Sequence, residues 1–103
     1  NFIYNIFENM SKNSESFYSR LKEQLENSTQ WPSKYKFKFI LKSNSNDQKK
    51  LVQIFKNLKS KISTKHSATN KFTSFTILVE LNCSDDVIEI YKLASEIDGI
   101  ISL

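Results

Sequence analysis

From Lys34 to Leu41 the chain alternates without a break, with Tyr35, Phe37, Phe39 and Leu41 on one side and Lys34, Lys36, Lys38 and Ile40 on the other. A period of two is that of a strand, and the apolar side marks its buried face; the pattern predicts a strand over 34–42. A second alternation spans 71–81, where Phe75, Ile77, Val79 and Leu81 share a face and Phe72, Ser74, Thr76 and Leu78 share the other. Elsewhere the spacing is helical. Residues 14–27 place Phe17, Leu21 and Leu25 four apart with Tyr18 beside them, and turn Arg20, Lys22, Glu23 and Glu26 outward. Pro32 blocks continuation of that helix and drives Trp31 toward an extended conformation.

The remaining elements follow from local signals. Ser45 and Gln48 form a capping box for a helix over 46–59, with Leu51, Val52, Phe55 and Leu58 as its core stripe. A strand over 60–67 then reaches a tight connection at Ala68, Thr69 and Asn70, and asparagine is the non-glycine residue that best tolerates positive φ. Ser84 is placed to cap a last helix whose first turn holds Asp85 and Asp86, where carboxylates favour the dipole. Its apolar stripe is Val87, Tyr91 and Ala94 with Ile90 and Ile97 alongside, Gly99 ends it, and 100–103 form a closing strand.

After the leading helix the order is therefore β-α-β-β-α-β. This is an α+β, ferredoxin-like sandwich with a four-stranded antiparallel sheet, two crossover helices on one face and an extra N-terminal helix. Phe37, Phe39, Phe55, Phe75 and Ile77 are expected to form one cluster beneath those helices. The opposite face, with Ile40, Phe72 and Leu78 among lysines and hydroxyls, is too apolar to stand open, and the leading helix or a second copy of the chain is expected to cover it.

Three blocks carry a family resemblance: WPSKYKFKFI at 31–40, SATNKFTSFTILVEL at 67–81 and IYKLASEIDGIISL at 90–103. In that order they resemble the YbeD-like family of small bacterial proteins, over roughly residues 14–103. The family has a Trp-Pro or Phe-Pro pair before the first strand, a serine in a glycine-containing hairpin, and a final helix and short strand closing on leucine. Asn70 stands where the family usually has glycine. The resemblance implies a ferredoxin-like fold similar in shape to the ACT regulatory domains, and it implies no settled activity. Shape by itself carries little functional weight. The loop that admits an amino-acid ligand in ACT domains commonly bears a glycine, and 42–47 has none.

The chain divides into residues 1–13, an N-terminal extension, and a single domain over 14–103. Met10 reads as a translation start, which makes the first nine residues an upstream extension or expression remnant; the alternative is a docking segment, since Phe2, Ile3, Ile6, Phe7 and Met10 would make one apolar stripe on a helix. At 103 residues, 39% hydrophobic and with eight Phe, the chain is sized for one modest core rather than for disorder. The single cysteine, Cys83, excludes an intrachain disulfide and a paired-thiol zinc site, so a reducing cytoplasm is the simplest home. No apolar run approaches the roughly 20 residues that span a bilayer.

Candidates for chemistry are few. His66 is the only histidine, which leaves no two-histidine metal site; beside Lys65 and Ser67 it reads first as an exposed strand residue. Ser67 is explained by its hairpin position, where the hydroxyl bonds a backbone N–H two residues on. Trp31 reads as a ring anchoring the entry to the first strand, Cys83 as an incidental thiol, and Asp85, Asp86 and Glu89 as helix-start charges rather than a metal cluster. The expectation is a protein without catalytic centre, cofactor or metal.

Charge alters the picture, because the formal net charge of +4 is unevenly spread. Residues 34–71 hold eleven lysines and one acid, Asp47, while the rest of the chain holds four basic and ten acidic residues. Such segregation suits an acidic partner, a nucleic acid or head-to-tail self-association. The expected function is a non-enzymatic regulatory or protein-interaction module. Its candidate surface is Lys36, Lys38, Lys65, His66, Ser67, Lys71 and Phe72. The alternative is weak, low-specificity binding of nucleic acid or another polyanion through the lysine-rich 34–71 surface. RNA-recognition domains share the element order but stack bases on sheet aromatics, and here Phe72 is the one aromatic on the outward positions of the first and third strands.

Overall fold

The computed structural model describes the backbone of residues 2–44 and 46–102, and side chains from Glu15 onward. Its elements are α1 (Phe2–Ser28), β1 (Ser33–Lys42), α2 (Asp47–Ile54), β2 (Ser60–His66), β3 (Phe72–Leu81), α3 (Ser84–Ser95) and β4 (Ile101–Ser102). The strands form one antiparallel sheet in the order β2-β3-β1-β4, the expected ferredoxin-like topology. The central pair is in register over the full length of both strands, from Ser33 opposite Leu81 to Lys42 opposite Phe72.

The core lies between the sheet and the helices. Phe37, Phe39 and Leu41 of β1 and Thr73, Phe75, Ile77, Val79 and Leu81 of β3 are buried, as the alternation predicts. Phe37 is the hub: its ring lies 5.7 Å from Phe39, 5.6 Å from Phe55 and 5.0 Å from Tyr91. Above it the hydroxyls of Tyr35 and Tyr91 are 3.0 Å apart, so two phenols in an apolar setting satisfy each other. From α3 come Val87, Ile88, Ile90, Tyr91 and Ala94, followed by Ile97; Gly99 (φ +73°) then reverses the chain.

The structure corrects several sequence expectations. α1 is longer than 14–27, because no proline or glycine interrupts the chain before Pro32. The buried side chains of its described part are Tyr18, Leu21 and Leu25, while Phe17 is only partly buried. The proposed stripe of Phe2, Ile3, Ile6, Phe7 and Met10 lies outside the described side chains, and the capping role of Ser45 falls outside the described residues. The Gln48 amide nitrogen donates to the carbonyls of Lys42 and Ser43, tying α2 to the end of β1. α2 stops at Ile54 rather than 59. The N–H groups of Phe55, Lys56 and Leu58 bond three residues back, tightening the chain into turns. That turn rotates Leu58 out of the stripe, and it and Val52 stay exposed, while Leu51 and Phe55 are buried.

Ser84 is likewise not a cap. It is fully buried and its hydroxyl donates to the Glu26 carboxylate of α1; Cys83 takes the N-cap position without a side-chain bond. Asp86 instead accepts the Asn82 N–H at 3.2 Å, and Asp85 pairs with Lys22 of α1 at 2.8 Å. These contacts, with Lys92 5.1 Å over the Tyr18 ring, lay α1 along α3 and β4. The described side chains of the helix therefore pack on α3 and β4 and do not cover the far face of the sheet. That face remains open.

A lysine-rich open sheet face as the candidate functional site

The strict register of β1 and β3 sends every even-numbered residue of β1 and β3 to the side away from the core. Pairing with β2 adds Lys61, Ser63 and Lys65 to that side, and pairing with β4 adds Ile101. The face is built in rows across the strands: Lys61, Leu78 and Lys36; then Ser63, Thr76 and Lys38; then Lys65, Ser74, Ile40 and Ile101; then Phe72 and Lys42. Lys34 stands opposite Glu80 at the far end. Among the described residues six lysines thus share one face with one carboxylate. Phe72 and Leu78 keep 41% and 40% of their surface in solvent, so the face is apolar at two points inside a basic frame.

The face deepens at the β2–β3 hairpin into an open depression of about 510 Å³, floored by Ile40, Phe72 and Ser74 and bordered by Lys65, His66 and Ser67. The hairpin holds its shape by backbone chemistry. Asn70 takes φ +58°, its N–H donates to the Ser67 carbonyl at 2.9 Å, and Ser67 N–H donates to the Phe72 carbonyl at 2.8 Å. The Ser67 hydroxyl accepts the Phe72 N–H at 3.2 Å, a hairpin bond five residues on rather than the expected two. Asparagine thus fills the glycine position at modest steric cost.

The candidate surface residues separate into two groups. Lys36, Lys38, Lys65 and Phe72 stand on the open face; Ser67 and Lys71 belong to the hairpin, where the Lys71 carbonyl accepts the Ser43 N–H at 3.0 Å. His66 has the opposite parity. Its Nδ1 lies 3.0 Å from the buried Thr73 hydroxyl, which in turn lies 3.0 Å from the Ser43 hydroxyl. This hydrogen-bonded line joins β2, β3 and the end of β1, and an edge-strand histidine with a hydroxyl partner is a structural link. Lys34, Lys42 and Lys61, which the candidate list omitted, complete the lysine array. The sequence carries the signal for them: each sits an even number of residues from Lys36, Lys38 or Lys65 on the same strand.

Strongly shifted groups lie in the core rather than on this face. Burial pushes the phenols of Tyr91 and Tyr35 above their ordinary values, with Tyr91 raised further by Tyr35 beside it. Tyr18 is raised for the same reason, to a lesser degree of burial. Among the described residues no group of three or more His, Cys, Asp and Glu side chains converges on a point that could hold a metal ion. Among the same residues no helix is long and apolar enough to cross a membrane. What the face offers chemically is a set of ammonium donors on a rigid sheet, spaced by the pleat, around small apolar contacts. That combination is chemically suited to carboxylates or phosphates spread over an extended area.

No curated protein matches the chain. Among solved structures it is similar to the solution structure of protein HP0495 from H. pylori, with a TM-score of 0.59 and 22% identity over 74% of this chain and 86% of that one. At that identity the likeness speaks for the fold alone. A family model described as "Protein of unknown function (DUF493)" matches residues 26–103, which takes in every strand and both crossover helices and leaves out nearly all of α1. With the fold, the three sequence blocks and the family match in agreement, the chain belongs to DUF493, the YbeD-like family of proteins of unknown function.

Proposed function

We propose that the protein is a non-enzymatic interaction module of regulatory type, and that the open sheet face is the surface with which it holds an acidic protein partner. The observation that carries this reading is the face itself: six lysines on alternate positions of β1 and β2 surround exposed Phe72 and Leu78, and α1, the one element that could have covered them, lies on α3 and β4 instead. Exposed apolar side chains within a charged frame match the usual anatomy of an interface, with contact area at the centre and polar groups at the rim. Opposite charge on the partner would speed encounter and set its orientation.

A polyanion is the competing occupant. Phosphates would satisfy the same lysines, but Phe72 is the one aromatic on the described face, which leaves no platform for stacked bases. The two occupants separate in one experiment. The wild type and a Lys36→Glu/Lys38→Glu variant are immobilised and used to capture partners from an extract divided into untreated and nuclease-treated halves. A protein retained by the wild type, lost by the variant and released by moderate salt supports the reading. Retention of nucleic acid alone, abolished by nuclease, transfers the surface to the polyanion. Identical capture by both proteins would remove the face from consideration.

A further inference from the structure

We infer that the free edge of β2 is a strand-addition site for an extended acidic segment of a partner protein. This deepens the proposed function, since it rests on the lysines of the same face, and it names the form in which the partner docks.

The phase of the hydrogen bonding identifies the edge. Glu80 N–H donates to the Lys59 carbonyl at 3.2 Å and Ser67 N–H donates to the Phe72 carbonyl at 2.8 Å, one bond at each end of the β2–β3 ladder. In an antiparallel pair alternate residues exchange these bonds. Lys59, Lys61, Ser63, Lys65 and Ser67 therefore turn their backbone groups to β3, and Ser60, Ile62, Thr64 and His66 turn theirs to the open side. β2 is the terminal strand of the sheet on that side. It is paired without a bulge over seven residues, contains neither proline nor glycine, and only Ile62 is partly buried. A row of unpaired donors and acceptors of this length is a template for another strand.

Charge selects the occupant. Between Asp47 and Glu80 the chain has no acidic residue, while Lys59, Lys61 and Lys65 punctuate the edge. A second copy of β2 pairing about Ser63, the antiparallel register that overlaps all seven residues, would set Lys61 directly opposite Lys65, twice, and like charges facing across a ladder are destabilising. An added strand with carboxylates at alternate positions meets the opposite situation. Its acids fall on the outer face beside Lys61 and Lys65, its other side chains lie next to Ile62 and Thr64, and its main chain takes up the free N–H and C=O groups.

The test uses the full chain and a capped eight-residue peptide alternating Glu and Thr, followed by amide hydrogen exchange. Binding should slow exchange of the Ile62 and Thr64 amides at least tenfold. The same peptide N-methylated at alternate residues, which keeps its charge but loses the donors of one edge, should bind at least tenfold more weakly for one of the two methylation phases. Thr64→Pro removes an outward N–H and no bond to β3, so it should keep the fold and lose the peptide. Lys61→Glu/Lys65→Glu supplies the check should the proline variant not fold, and it should weaken binding at least tenfold. Strand addition is overturned if both methylated peptides bind as well as the parent, or if Ile62 and Thr64 exchange is unchanged while Lys36→Glu/Lys38→Glu abolishes binding. In that second result the face reading survives. If no acidic probe binds the wild type at all, both readings fail.

Discussion

The two faces of the sheet are made by the same strands, residue by residue in alternation, and they have opposite fates. On one side β1 contributes Phe37, Phe39 and Leu41, all essentially without exposure, and on the other it contributes Lys34, Lys36, Lys38 and Lys42. The inner face is fixed by volume: aromatic rings interlock, and each has neighbours in contact on every side. The outer face has no second layer over it among the described residues, and its lysines stand in solvent. On the function proposed above, stability and binding fall to different residues of one strand, and substitution on one face should leave the other's property untouched.

The sharpest way to break the comparison is Phe37→Ala. Truncating a fully buried phenylalanine at the hub of four rings should cost about 3–5 kcal/mol, read as a lower midpoint in a denaturant titration with an unchanged slope. An unaltered midpoint would show that the inner face is not the core.

Alkaline pH probes the inner face without altering its shape. Tyr35 and Tyr91 hold their protons more tightly in the folded state than in the unfolded chain, where a phenol titrates near ~10. Below that pH both states are protonated and the stability is whole. Above it the unfolded state loses protons that the folded state keeps, so stability falls as pH rises, with a limiting slope of about 1.4 kcal/mol per pH unit for a phenol that stays protonated in the folded state. The Tyr35→Phe/Tyr91→Phe variant should show a flatter decline between pH 10 and 11 than the wild type, whose other groups titrate in common with it (~10 being the ordinary tyrosine value).

Asn70 tests the hairpin that joins the two faces. Asn70→Ala places a β-carbon with no compensating side-chain bond at φ +58° and should cost about 1 kcal/mol, whereas Asn70→Gly should fall within roughly 0.5 kcal/mol of the wild type. Equal effects of both would mean that the turn does not hold the left-handed conformation. The smallest effect belongs to the outer face: Lys38→Ala and Leu78→Ser should each shift stability by less than about 0.5 kcal/mol. A large loss on either would show that this face carries structural weight and is a poor choice for a docking surface.

Much of the fold was legible because it is written in local spacing. The alternation from Tyr35 to Leu41 and from Phe75 to Leu81 assigns each side chain to a face, and with the helical spacing that places Phe55 it yielded the core cluster of Phe37, Phe39, Phe55, Phe75 and Ile77. The errors fell where a long-range contact or an early turn outbid a local preference. Ser84 has the composition of a cap but spends its hydroxyl on Glu26, 58 residues away. Val52 and Leu58 continue a helical stripe in sequence, yet the helix ends before Leu58 and leaves both exposed.

The sequence by itself determined which residues can be inside: a strand's period of two and a helix's near-four are properties of the backbone, and they are present before any tertiary contact forms. It also determined the segregation of lysine into 34–71. The tertiary structure alone decided where α1 goes and hence which face is left uncovered, because an amphipathic helix carries no address for its partner and is placed only by the contacts of Tyr18, Leu21, Leu25, Lys22 and Glu26 with α3 and the core. It alone decided, too, that lysines from β1 and β2, far apart in the chain, stand together on one face, since strand order and register are settled by pairing across the sheet and not by neighbours along the chain.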